Sequence, residues 1–259
     1  MIESSTEEGI ARITLNRPEK LNAFSGSMRD DLRSAIERAG TDRDVRVIML
    51  MGAGRAFCAG GDVAFMAALQ RERNTAAFRA LLDAGREVIL AIRNLEKPVL
   101  AVIQGVAAGA GCNLALACDY RIAAEGATLG QTFVRIGLHP DWGGTWLLPR
   151  LVGPSRAFEL MASGRMVAAE EALSIGMVDR VVPAAELRHE AEALARSWSA
   201  AAPLALAGIK RALTLSERND LREQLELEAE NQLRAFSSSD AAEGMAAFFE
   251  KRNARFRGE

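Results

Sequence analysis

At 259 residues, 49% hydrophobic and 25% charged, the chain has the make-up of a soluble globular protein long enough to bury one large core. A formal charge of -2 supplies no basic footprint for nucleic acid, and the start MIESSTEEG has neither the basic flank nor the apolar run of a signal peptide; a cytoplasmic protein without nucleic-acid or membrane partners is expected. Cys58, Cys112 and Cys118 lack CxxC spacing and are joined only by His139 and His189, which argues for buried thiols and against a disulfide or a metal site.

Ile10 to Leu15 alternates like a strand, and Asn16-Arg17-Pro18 turns it. Ser25 or Ser27 is placed to cap a helix with Met28, Leu32, Ala35 and Ile36 on one face. Val45 to Met51, apolar apart from Arg46, predicts an interior strand that runs into a glycine-rich loop from Gly52 to Asp62. Val63 to about Asn94 is helical by composition.

The organising stretch is Pro98 to Asp119, which has no charged side chain before Asp119 itself. Val99, Leu100, Val102 and Ile103 predict a strand buried on both faces, Gly105, Gly109 and Gly111 a sharp turn, and Leu114, Ala115 and Ala117 a packed helix. A junction of this kind leaves backbone N–H groups uncovered and able to hold developing negative charge. A membrane span is a poor reading, because Pro98, Gln104, Asn113 and the glycines interrupt it. A dinucleotide loop is equally poor: Leu114 stands where the third glycine of GxGxxG belongs.

Beyond Asp119, Tyr120 to Ala123 and Thr128 to Phe133 predict short strands, Gly137 to Gly144 a loop, and Thr145 to Leu151 a helix interrupted by Pro149. Pro154 to Met161 and Ala168 to Ile175 read as helices, with Gly176 closing the second and Val178 to Val182 returning as a strand. From Ala184 the pattern is helical: Leu187, Ala191, Leu194, Ala195 and Trp198 keep helical spacing, and helices follow Pro203 and Asn219. Asp240-Ala-Ala-Glu243 has the form of a capping box opening a last helix with Met245, Phe248 and Phe249 on one face. Strands alternating with helices predict an α/β fold with parallel crossovers. The division expected is a core over 1–200 and a helical region over 201–259.

Four segments carry a family resemblance: Leu15 to Phe24, Phe57 to Asp62, Gly105 to Gly111, and Gly143-Gly144-Thr145. Together, in this order and spacing, they strongly resemble the crotonase, or enoyl-CoA hydratase/isomerase, superfamily. The likeness extends to Phe249 to Arg252. It implies a ββα spiral core, a C-terminal helical trimerisation subdomain giving a homotrimer or dimer of trimers, and an acyl-CoA thioester substrate. Coenzyme A then arrives as part of the substrate, and no separate cofactor is implied.

The resemblance assigns the oxyanion donors to the backbone of Gly61 and Ala110, which would stabilise a thioester enolate. Small residues suit this role because the thioester must approach the backbone closely. Typical hydratases use two glutamates, and the matching positions here hold Asn113 and Phe133, which puts ordinary hydration in doubt. Asp141 is the remaining acid. Its plain reading is a helix cap, but enoyl-CoA isomerases have an acid at this place, and Ile136 to Arg150 resembles the PaaG-like branch of phenylacetate degradation. A 4-chlorobenzoyl-CoA dehalogenase uses an aspartate there as a nucleophile.

One carboxylate suits an isomerase, which moves a proton from C2 to C4 without activating water. In the PaaG-like case the substrate would be a ring epoxide of phenylacetyl-CoA. The resemblance places CoA against Lys20, Ala23, Ala59, Asp62 and Val63, with Lys251 reaching a phosphate, although a lysine in Glu250-Lys251-Arg252 also reads as a solvated charge. His139 is an accessory candidate. Trp142 either walls the acyl pocket or packs under the loop, Asn113 either bonds substrate or caps a turn, and Asp119 reads as structural. An atypical hydratase and a non-catalytic acyl-CoA-binding protein are the alternative functions.

Overall fold

The computed structural model describes residues 1–259. Strand β1 (Ile2–Glu7) forms a hairpin with β2 (Ile10–Leu15). Glu8 and Gly9 join them with φ of 53° and 77°, the left-handed pair that a tight hairpin turn requires. Helix α1 (Met28–Thr41) leads to β3 (Val47–Gly52) and the short β4 (Ala56–Cys58), after which come α2 (Val63–Arg71) and α3 (Thr75–Arg93). The same strand, short strand, helix order repeats as β5 (Val99–Ile103), β6 (Val106–Ala108) and α4 (Ala110–Ala117). It begins a third time with β7 (Tyr120–Ala124), β8 (Thr128–Gly130) and a 3-10 helix at Thr132–Ile136.

Each repeat gives one strand to each of two sheets. The larger has the order β1-β2-β3-β5-β7-β10, where β10 is Arg180–Val182, and is parallel except for the first hairpin. The smaller runs β4-β6-β8-β9, with β9 at Met166–Ala168 antiparallel to β8. This is the ββα spiral that the motifs implied.

The continuous apolar runs of β3 and β5 follow from burial on both faces. Ile48, Leu50, Val99, Ala101 and Ile103 enter the main core under α1, α3 and α4. Val47, Met49, Leu100 and Val102 face the other way, onto Leu187, Ala191 and Ala195 of α8 (Leu187–Ser199). Between β9 and β10 lies α7 (Ala169–Ser174), and α5 (Gly144–Val152) and α6 (Pro154–Ser163) precede β9. The chain ends in α9 (Pro203–Leu215), α10 (Leu221–Phe236) and α11 (Ser239–Glu250). Lys210 ties α9 to the core, its Nζ donating to Asp119 Oδ2 at 2.7 Å and to the carbonyls of Ile92 and Lys97. Asp119 is structural, as expected. No helix is long and apolar enough to cross a membrane, and all three cysteines are buried and free.

Several local expectations are corrected. Ser27 precedes α1 but makes no cap bond; its hydroxyl donates to Asp31 at 2.9 Å. The span 63–94 is two helices, broken where Arg73 takes φ 53°. The strand expected from Thr128 ends at Gly130 and gives way to the 3-10 turn. Helix α5 runs through Pro149 to Val152. The last helix is capped by Ser238, which accepts from Ala241 N at 3.1 Å, because the Asp240 carboxylate is engaged by the amides of Arg257 and Gly258. The capping box lies instead at Asp220 and Glu223, opening α10.

Candidate active site

Adjacent parallel strands β4 and β6 each end in a glycine turn, and packing brings the turns together. Gly60 has φ 94°, and a Cβ there would stand 2.7 Å from the Ala108 carbonyl and 3.4 Å from the Ala110 nitrogen. A Cβ on Gly111 would overlap the Cys58 carbonyl. Glycine at these places is therefore a condition of the two loops meeting. The amides of Gly61 and Ala110 donate to no backbone carbonyl. Ala110 is also the first residue of α4, so the helix adds positive potential at its amide.

The segment from Lys20 to Phe24 is stitched to the first of these turns. Phe24 N donates to Gly60 O at 2.7 Å, Asp62 N to Phe24 O at 3.1 Å and Ala59 N to Leu21 O at 2.9 Å. Buried Asn22 reinforces it, its Nδ2 donating to the carbonyls of Ala53 and Ala56. Asp62 caps α2 by accepting from Ala64 and Phe65, and pairs with Arg17 at 2.9 Å. Arg17 holds the Asp62 carboxyl below the usual range and also donates to Ala23 O. Lys20 and Val63 are both exposed. Lys251 is exposed at the C-terminal end of α11 and is bonded to none of these residues.

Asp141 lies in the loop before α5. Asn113 Nδ2 donates to the Asp141 main-chain carbonyl at 2.7 Å, and Gln131 Nε2 donates to Asn113 Oδ1 at 2.6 Å. Thus Asn113 holds the loop. Gly144 is required beside it, since a Cβ would run into the Asn113 amide. Trp142, with φ 50°, packs under the loop: its ring lies 4.5 Å from that of Phe24, and its indole fills the space a side chain at Gly85 would need. Phe133 is buried next to Gly109, and His139 is exposed.

Burial raises the Asp141 pKa to about 6, opposed first by Arg29 and more weakly by His139. Its Oδ1 is enclosed and accepts no hydrogen bond. Arg29 escaped the sequence analysis although a signal was present. It is spaced three and seven residues from Leu32 and Ile36, a charge on the apolar stripe of α1, and is 5% exposed.

A cavity of about 630 Å³ opens between α2, α3 and the 3-10 helix, with Val63, Met66, Leu69, Phe78, Ile136 and Leu138 among its walls. Met66 links it to the first glycine turn, its Sδ standing 3.3 Å from where a Cβ of Gly61 would be. The arrangement offers two free amides, one carboxylate that changes charge near neutral pH, and apolar space for a hydrocarbon chain. It can hold an anionic oxygen while a proton is moved.

Comparisons with known proteins bear on the fold and the family of the chain. Residues 5–259 match the family model described as enoyl-CoA hydratase/isomerase. The chain is 39% identical to the 1,2-epoxyphenylacetyl-CoA isomerase of Escherichia coli (strain K12), covering 100% of this chain and 98% of that protein. It is 38% identical to the crotonyl-CoA hydratase of Syntrophomonas wolfei, over 96% of this chain and 95% of the relative. The crystal structure of an enoyl-CoA hydratase from Bacillus anthracis superposes with a TM-score of 0.94 at 35% identity, covering 100% and 99% of the two chains. With its spiral core, its paired glycine turns and this likeness along its length, the chain belongs to the enoyl-CoA hydratase/isomerase, or crotonase, family.

Proposed function

We propose that the protein is an enoyl-CoA isomerase whose single proton shuttle is Asp141. The observation that carries this reading is the state of the acids around the glycine turns. Asp141 is half-buried, with its Oδ1 enclosed and unbonded, and is raised to about 6, whereas Asp62 is engaged as a helix cap and ion-pair partner. The positions of the hydratase glutamates hold Asn113, which anchors a loop, and the hydrocarbon ring of Phe133.

Asp141 takes a proton from C2 of a 3-enoyl-CoA, and the electron pair moves onto the thioester oxygen between the amides of Gly61 and Ala110. Return of the proton at C4 leaves the 2-enoyl product. The likeness to the epoxyphenylacetyl-CoA isomerase extends the reading to a ring epoxide on an aromatic acyl group. Lys20, Ala23, Ala59, Asp62, Val63 and Lys251 are the proposed CoA contacts, with Asp62 acting through the cap that shapes the α2 terminus. The chemistry calls for no cofactor beyond the CoA of the substrate.

Residues 201–259 are proposed as the oligomerisation region of a cytoplasmic homotrimer or dimer of trimers. Exposed Leu213, Leu221, Leu233, Phe236, Phe248 and Phe249 support this part of the reading.

Mass and NMR analysis with 3-hexenoyl-CoA and, separately, crotonyl-CoA in deuterated water tests the reaction. Conversion of the first to its 2-enoyl isomer without uptake of water is expected. Efficient hydration of the second would favour the atypical hydratase, a reading that the likeness to a crotonyl-CoA hydratase keeps open. An Asp141→Asn variant that turns over as wild type would favour a binding protein or another catalytic group.

A further inference from the structure

A buried guanidinium without an acid bonded to it needs more than packing to account for it. Arg29 enters the site from the first turn of α1 and is 5% exposed. Its Nε and Nη1 are enclosed and donate to nothing. The group lies over the rings of Phe24 and Trp142, 5.5 and 6.0 Å from their centroids, so aromatic faces offset part of its lost hydration. Its Nη2 lies 3.8 Å from where a Cβ of Gly61 would stand. Arg29 is therefore next to the first oxyanion donor and within electrostatic reach of Asp141.

We propose that Arg29 is a positioning residue whose fixed positive charge is shared by Asp141 and the enolate oxygen during proton transfer. The inference rests on the proton-shuttle reading above. Before transfer the site holds ionised Asp141 and Arg29. The C2–H bond breaks, the proton goes to the Asp141 carboxylate, and the electron pair moves to the thioester oxygen beside Gly61. The total charge is unchanged, and the negative charge has moved from one neighbour of Arg29 to another. A cation close to both positions keeps the low-dielectric site neutral throughout.

The groups acting on Asp141 are consistent with this. Arg29 from α1 opposes the effect of burial most strongly, and His139 on the same loop adds a weaker pull. Cys58, which also faces Arg29, is held as a neutral thiol by burial that pushes it up to about 12. Asp30 acts on Arg29 from the next position of α1.

The test measures deuterium incorporation at C2 and double-bond migration across the acid and neutral pH range for wild type, Arg29→Met and Arg29→Lys. Arg29→Met is expected to lower kcat about 100-fold, the scale of losing one oxyanion-stabilising donor, while KM changes only a few-fold. Its acid limb moves to higher pH, because Asp141 loses the charge that favoured its ionised form. Arg29→Lys recovers most of the rate and returns the limb toward its wild-type position. If Arg29→Met does not fold, Arg29→Gln reads the same limb.

Wild-type exchange in the folded neutral variant overturns the proposal. So does equal loss in Met and Lys variants with an unmoved limb, the mark of a packing role. A wild-type protein that neither exchanges nor isomerises refutes the proton-shuttle reading itself, and that result is distinct from an active wild type with an indifferent Arg29 variant.

Discussion

The glycine turns at 59–61 and 109–111 and the loop at 137–144 converge on one site but are built by opposite means. The turns are set by missing side chains: at Gly60 and Gly111 a Cβ would collide with a neighbouring backbone carbonyl. The loop is set by side chains, with Asn113 and Gln131 holding its backbone and Trp142 packed beneath it. The first region tolerates almost nothing at its contact points. In the second, environment sets what one carboxylate does, so its chemistry can be altered without dismantling the fold.

Gly111→Ala is the severest way to break that contrast. Its methyl would overlap the Cys58 carbonyl inside the core, so loss of soluble, cooperatively unfolding protein is expected by thermal melting. Asp141→Asn should instead leave the fold intact and lower isomerisation about 1,000-fold, within the usual range for a general acid–base group. Its melting temperature at neutral pH should not fall, because a carboxyl whose pKa is raised by burial destabilises the folded state once ionised. A large drop in Tm would make Asp141 a structural anchor.

The pH dependence sharpens the same point. In its proposed role Asp141 must be ionised to accept a proton, so kcat/KM is expected to fall as pH drops through about 6. A limb nearer the ordinary aspartate value would mean that burial does not tune the group. Asn113→Ala removes the bond to the Asp141 carbonyl; a rate loss of about tenfold with a stability loss of about 1 kcal/mol is expected, checked by steady-state kinetics and urea unfolding. Asp62→Ala should have the smallest catalytic effect and a stability cost of about 1 kcal/mol from the lost helix cap. A selective rise in KM beyond that would show that Asp62 also contacts CoA.

The contrast also explains what was legible in the sequence. Val47 to Leu50 and Val99 to Ile103 declare themselves because strands buried on both faces are apolar at every position. The two glycine turns were visible through their composition, and Asp141 stood out as the acid of the loop before α5. Strands β4, β6 and β9 were missed because three residues carry no readable alternation and two of them lie within glycine-rich stretches. The β1 hairpin was missed although Glu8-Gly9 has the turn chemistry, since polar Glu3 to Thr6 gives β1 no apolar face. Arg17, Gln131 and the loop-holding role of Asn113 depend on partners 45, 18 and 28 residues away, which local pattern cannot supply. The last capping box was misplaced for the same reason: the Asp240 carboxylate is taken by amides 17 and 18 residues further on.

The Asn113 bond has a consequence for how activities interchange on this scaffold. Its amide is a donor facing a carbonyl, whereas a glutamate in its place would present a carboxylate to the same oxygen. Asn113→Glu introduced alone would therefore repel the loop that carries Asp141 before it could serve any water-adding chemistry. A route from one reaction to the other must first give that loop a different tether, and only afterwards install the new acid. The order of substitutions, more than their number, then decides whether a carboxylate can be accommodated beside the Asp141 loop.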